Sequence, residues 1–311
     1  MRVLFMGTPT FAVPSLERLA RSRHTVVRVL TQPDRPQGRG RHIDGPPVKA
    51  VAARLGIAVM QPEDANAEDA LAVAADAGAD IGVVVAYGGF LKRAFRSLFP
   101  RECINLHPSL LPKFRGADPI RWALYTGETE TGISIIYLSD KMDAGDIILQ
   151  RTVSISESQN YGTLAETLAR VGADVVVEAL DAIERGEAVR RPQSDGEATY
   201  APKFKPEEKR IDWSEAGEAV VNRIRTFAPE PGAETGFRGR DLKILRARYE
   251  RKETGDAAPG TIIQIGREGS LRVATGNGEV LIDEVQPAGR RPMGARDFLN
   301  GYHPEAGERL A

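Results

Sequence analysis

Hydrophobic and polar positions divide the chain into two styles. Through residue 185, short continuous apolar runs at 3–6, 26–30, 81–86, 103–107 and 133–138 alternate with stretches of helical apolar spacing at 14–20, 48–55, 65–77 and 161–185. Unbroken apolar runs suit strands covered on both faces, and their alternation with helices predicts an α/β fold around a doubly wound, mainly parallel sheet. Residues 186–206 lose periodicity and carry Pro192, Gly196, Pro202 and Pro206. Beyond them a short helix near 220–226 precedes turn-bounded strands at 242–247, 261–265, 271–274 and 280–285, the pattern of a small OB-like β-barrel. The expected organisation is a catalytic domain over 1–188, a linker over 189–206 and a C-terminal barrel domain over 207–311.

One stretch of the first region, CINLHPSLLPKFRGADP from Cys103, ends its apolar run in a polar pair. In an extended segment Asn105 and His107 project to one side, while Ile104 and Leu106 project to the other. Pro108 and Pro112 then prevent the strand from continuing. In sheets of this kind ligands gather beyond the carboxyl ends of the strands, which is where this pair falls. Asp140, Asp143 and Asp146 follow the 133–138 strand, with Gly145 allowing a sharp turn. One of these carboxylates beside His107 would orient the ring and favour the imidazolium. The loop Gly7-Thr8-Pro9-Thr10-Phe11 opens a helix and could receive an anion, but it lacks the G-x-G-x-x-G spacing of a dinucleotide site. Nor is there a phosphate-binding G-x-x-x-x-G-K-[ST], or a Ser or Cys with an evident base. The residues therefore point to transfer of a carbonyl-containing group without metal or ATP, with Asn105 and His107 suited to holding an oxyanion.

Composition narrows the setting. One cysteine excludes an internal disulfide, and with four scattered histidines it argues against a structural zinc site. No apolar run approaches the roughly 20 residues that span a bilayer. The opening MRVLFMGTP starts as a strand with no charged leader, so a cytoplasmic protein is expected. The formal net charge of −1 conceals two basic clusters. DRPQGRGRH, from Asp34, sets Arg35, Arg39 and Arg41 against one acid, and residues 238–252 hold seven Lys or Arg against two acids.

The stretch NLHPSLLPKFRGADPIRWALYTGETETGISI followed by KMDAGDI resembles the folate-dependent formyltransferases. FMGTPTFAVPSLERL, QPDRPQGRGR, YAPKFKPEEKRIDW and EVQPAGRRPMGARDFLNG extend the resemblance over nearly the whole chain, toward the members that act on aminoacyl-tRNA. The resemblance implies a transferase with Asn105, His107 and Asp143 as the catalytic trio. It places Ser109, Leu110, Leu111 and Pro112, with Tyr87 and Gly88, beside the folate. It further implies 10-formyltetrahydrofolate as donor co-substrate, no metal, and the amino group of methionine on initiator tRNA as acceptor. Phosphates of that tRNA would meet Arg35, Arg39 and Arg41 and, on the barrel, Arg246, Arg248 and Arg251. No membrane partner is expected, and the chain should act as a monomer. An amino-sugar nucleotide is the rival acceptor, and a folate-binding RNA chaperone without turnover is the rival of another class.

Overall fold

A computed structural model of the chain describes residues 1–37, 42–252, 255–265 and 271–311. It divides into two compact units: Met1–Gly116 with Glu130–Ser154 and Ala165–Ala201, and Ala117–Thr129 with Ile155–Leu164 and Pro202–Ala311.

The first unit is built on strands β1 (Arg2–Gly7), β2 (Thr25–Leu30), β3 (Val59–Met60), β4 (Ile81–Val85), β5 (Cys103–His107), β6 (Glu130–Tyr137) and β7 (Ile147–Ser154). They form one sheet in the order β7-β6-β5-β4-β1-β2-β3. Strands β1 to β5 run parallel, and β6 and β7 close one side antiparallel. All of β4 and all but the first residue of β1 are buried, as the unbroken apolar runs require. The chain winds outward from β1 through β2 to β3 and then returns to the other side of β1 as β4. At that reversal Thr8 Oγ1 donates a hydrogen bond to the Tyr87 carbonyl at 2.7 Å, tying the two strand-end loops together.

The two faces of β5 are used differently. A Cβ on Gly172, within the helix Tyr161–Arg185, would lie 2.6 Å from Leu106 Cδ1 and 3.4 Å from Ile133 Cδ1. The helix backbone therefore rests directly on Leu106, and the strand's alternation turns Asn105 and His107 to the opposite face. Cys103 shares their parity and packs with Phe95 and Phe99. Burial pushes its thiol up to about 12, which keeps it inert.

Several elements differ from expectation. Strand β7 was not predicted because its outer half is exposed and polar. The helix Pro119–Tyr125 was also not anticipated. Arg35–Gln37 pairs with His42–Asp44 as a hairpin. Much of the segment expected as a linker is ordered within the first unit: Tyr200 and Ala201 pair with Arg115 and Gly116, and Arg191 exchanges two backbone hydrogen bonds with Ile147.

The second unit holds β8 (Ala233–Phe237), β9 (Arg240–Glu250), β10 (Ile262–Ile265), β11 (Leu271–Ala274), β12 (Glu279–Pro287) and β13 (Met293–Gly294). These make an antiparallel sheet in the order β8-β9-β12-β11-β10, with β13 on β12. Val220, Ile224 and Phe227 of the helix Gly217–Phe227 join Ile244, Val273, Ile282 and Phe298 in its core. Residues 307–311 bridge the two edges: the Gly307 N–H donates to Ile262, Leu310 to Gly260 and Ala311 to Gly236. The curled, bridged sheet agrees with the expected OB-like barrel and leaves neither edge wholly bare. Among the described residues no helix is long and apolar enough to cross a membrane.

Within this barrel Glu279 is 2% exposed and meets Arg272, which also donates to Glu250 at 2.8 Å; Lys252 lies 3.4 Å from the Glu279 carboxylate. Glu279→Ala removes a buried, charged hydrogen-bond partner but leaves Arg272 its bond to Glu250, so it is expected to cost about 1.5–3 kcal/mol in a urea melt of the protein. Asp283→Ala, which removes only the pairs to exposed Arg246 and Arg248, should cost no more than about 1 kcal/mol. Equal midpoints for the two variants would contradict this account.

Candidate active site

Strand β5 delivers its polar pair to the sheet's end and stops. His107 is 3% exposed, and its Nε2 lies 2.9 Å from the carbonyl oxygen of Phe114. A carbonyl can only accept, so Nε2 carries the proton and Nδ1 is left as the ring's second position. Nδ1 lies 3.7 Å from Asp143 Oδ2, within ion-pair reach but beyond a hydrogen bond. That carboxylate oxygen also accepts the Gly116 N–H at 2.9 Å. Asn105 is half-buried, two residues back and so on the same face, and its side-chain amide has no hydrogen-bond partner among the described residues. The structure thus brings Asn105, His107 and Asp143 to one strand end. Asp140 instead pairs with Arg96, and Asp146 lies 3.8 Å from Arg190.

The protonation of His107 is a correction. Asp143 was expected to hold the ring as an imidazolium, yet burial, which disfavours the charged form, outweighs the carboxylate at 3.7 Å and the Phe114 hydrogen bond. His107 is therefore held below its ordinary value of 6.5 and stands neutral at pH 7.

The segment after His107 is fixed from outside itself. Ser134 Oγ donates to the Ser109 carbonyl at 2.7 Å and accepts the Leu111 N–H at 3.0 Å. Gln150 Nε2 donates to both the Leu111 carbonyl and Ser134 Oγ at 2.9 Å. Ser109 and Leu111 are buried, whereas Leu110 and Pro112 are half-buried. Across the sheet's end Tyr87 is 3% exposed, and burial raises its phenol above its usual range. Gly88 has φ +86°, a conformation glycine adopts without strain. Asn66 grips the rest of that loop, donating to the Phe90 carbonyl at 2.9 Å and accepting the Lys92 N–H at 2.7 Å. Nothing in the sequence pattern singled out Asn66, Ser134 or Gln150, because a polar residue that holds a loop looks like any other polar residue.

The basic clusters are partly engaged. Arg35 is exposed, 3.9 Å from Glu63, while Arg39 and Arg41 lie outside the described residues. Arg246 and Arg248, 65% and 62% exposed, share Asp283 at 3.9 and 3.3 Å. Arg251 is exposed. One His and carboxylate group with potential metal-ligand spacing, His24, Asp181 and Glu184, is already occupied by the Met1 amine and Arg23.

Residues 1–180 match the formyl transferase family, and residues 203–303 match the formyl transferase C-terminal domain. A methionyl-tRNA formyltransferase from Roseiflexus castenholzii is 44% identical over 311 residues, covering 100% of this chain and 99% of that protein. An N-formyltransferase from Helicobacter canadensis, solved with folinic acid and dTDP-3-aminofucose, superposes with a TM-score of 0.67 at 16% identity, over 92% of this chain and 98% of its own. HypX from Aquifex aeolicus, solved with tetrahydrofolic acid, gives 0.64 at 20% identity over 99% of this chain but 48% of its own, so this chain spans about half its length. The two structural likenesses carry the fold, and the full-length identity carries the kinship: the chain belongs to the methionyl-tRNA formyltransferase family.

Proposed function

We propose that the protein transfers the formyl group of 10-formyltetrahydrofolate to the amino group of methionine on initiator tRNA. The observation that carries this reading is the strand-end trio, in which Asn105 offers an unengaged amide beside an imidazole whose tautomer is set by Phe114. The amine attacks the formyl carbon, a C–N bond forms, and the carbonyl electron pair moves to oxygen. Asn105 donates to that oxyanion. His107 Nδ1 takes the proton the nitrogen sheds, and Asp143 faces the imidazolium so formed. The bond to the folate N10 then breaks, and the proton passes to that nitrogen. Ser109, Leu110, Leu111, Pro112, Tyr87 and Gly88 form the folate side of the site, and no step in this scheme calls on a metal.

The acceptor end of the tRNA meets the loop carrying Arg35, Arg39 and Arg41, and Arg246, Arg248 and Arg251 meet its phosphates on the barrel. Offering methionyl initiator tRNA and an amino-sugar nucleotide in parallel formyl-transfer assays tests the reading. Transfer to the sugar alone would replace the acceptor, and transfer to neither would favour a folate-binding protein without turnover.

Three expectations follow from the site. Asn105→Ala should lower kcat by about 100- to 1,000-fold, the cost of one preorganised oxyanion donor, with folate binding little changed. Near-normal turnover would remove Asn105 from the chemistry. A proton NMR titration of His107 should give a midpoint below 6.5, and Asp143→Asn should lower it further, because the carboxylate is an influence that raises it. A midpoint above 6.5 would restore the imidazolium. Finally, neutralising Arg246, Arg248 and Arg251 should raise the tRNA concentration required and flatten its salt dependence, by somewhat under one log-log unit, about 0.7 to 0.9, per lost phosphate contact. An unchanged slope in initial rates would mark these residues as a solvated face.

A further inference from the structure

The carboxylate facing His107 sits on a backbone that does not hold itself in place. Asp143 has φ +51°, in the left-handed region that a residue with a Cβ rarely occupies unless its surroundings impose it. Two residues on, Gly145 packs so closely that a Cβ there would fall 1.7 Å from the Tyr137 carbonyl oxygen. The turn thus presents the Asp143 and Gly145 carbonyls to one point, and Gln193 meets both: its Nε2 donates to Asp143 at 2.8 Å and to Gly145 at 2.7 Å. The remaining amide oxygen, Oε1, accepts Arg115 Nε at 3.0 Å, and Arg115 Nη1 donates to Asp195 at 2.8 Å. Arg115 is 4% exposed, and the next residue, Gly116, supplies the N–H that Asp143 Oδ2 accepts.

The same segment also governs the His107 side. The Phe114 N–H donates to Thr199 Oγ1 at 2.8 Å and the Arg115 N–H to the Thr199 carbonyl at 2.8 Å, which fixes the residue whose carbonyl receives Nε2–H. Residues 193–201 therefore touch both supports of the pair: the stretch 114–116, and the turn 143–145.

We infer that Gln193 is a positioning residue for catalysis, holding Asp143 in register with His107 through its two amide hydrogens while Arg115 locks the amide's orientation. The inference rests on the trio reading. A carboxamide is the side chain suited to the place: it supplies two donors to two carbonyls and one acceptor to a guanidinium. A carboxylate of the same size keeps Arg115 but turns an acceptor toward both carbonyls.

The test compares Gln193→Glu, Gln193→Met and Asp143→Asn by steady-state kinetics and thermal melts, together with the double variant Gln193→Met/Asp143→Asn. Both Gln193 variants should lose about 10- to 100-fold in kcat, the penalty for misplacing a catalytic group by about 1 Å, with KM for folate and tRNA unmoved. Gln193→Glu keeps its Arg115 partner and so should melt closer to wild type than Gln193→Met, which leaves its kcat informative if Gln193→Met is unstable. On the Asp143→Asn background Gln193→Met should cost little more, because groups acting through one another are non-additive. Wild-type kcat in Gln193→Glu, a loss confined to KM, or a full additional loss on the Asp143→Asn background would each overturn the inference. Wild-type kcat in Asp143→Asn itself would overturn the trio reading instead.

Discussion

A buried imidazole cannot leave its N–H unpaired, and much of the site follows from how that demand is met at His107. Burial at a strand end removes water as a partner, and an unsatisfied polar group there would cost on the order of 1–3 kcal/mol. The Phe114 carbonyl accepts the proton only because the chain after Pro112 doubles back, with Phe114 at φ +61° and Gly116 at φ +129°. The same reversal points the Gly116 N–H at Asp143. One backbone excursion therefore sets the tautomer of the ring and supplies a donor to the carboxyl group beside it. Gly116 is confined as well: a Cβ there would sit 2.7 Å from the Ala201 carbonyl oxygen, so the segment that supports the excursion also forbids a larger residue.

Much of this was legible from the chain, for physical reasons. The central strands of the parallel sheet are buried on both faces and so are almost wholly apolar, which makes β1 and β4 plain in the pattern, and β5 as far as its polar pair. The parity of Asn105 and His107 is a geometric consequence of extension and needs no tertiary information. What escaped detection is held by partners far away in sequence. Strand β7 pairs with β6, but its apolar start, Ile147 to Leu149, gives way to exposed Arg151, Thr152 and Ser154, so the run is too short to stand out. Gln193 and Thr199 lie in a stretch without periodicity because their work is done by single polar contacts to residues about 50 and 85 positions earlier. Aperiodicity in sequence resembles a linker whether the chain is free or tightly pinned.

The protonation of His107 shows where local pattern stops being enough. A nearby Asp can be read from sequence, but whether it wins depends on its distance and on the water excluded around the ring. At 3.7 Å, with a ring almost wholly covered, burial is the larger influence. The two effects nonetheless serve different moments. In the proposed transfer, burial keeps the ring neutral and able to accept a proton, and the carboxylate at 3.7 Å would lower the energy of the imidazolium formed when the amine gives up its proton. A closer Asp143 would charge the ring beforehand and leave it nothing to accept.

Positional control therefore matters more here than the presence of the carboxylate alone. If the turn at 143–145 relaxed, the left-handed Asp143 that opens it would be free to move toward an ordinary conformation and carry its oxygen away from, or onto, Nδ1. Either movement would shift the balance between neutral and charged imidazole. The contacts that oppose it are short-range and directional: two carbonyls on one carboxamide, that carboxamide on a buried guanidinium, and one N–H on the carboxylate. None of them touches the imidazole ring. In the proposed transfer the chemistry falls to Asn105, His107 and Asp143, while the distance between His107 and Asp143 depends on contacts made by residues that carry no reactive group of their own.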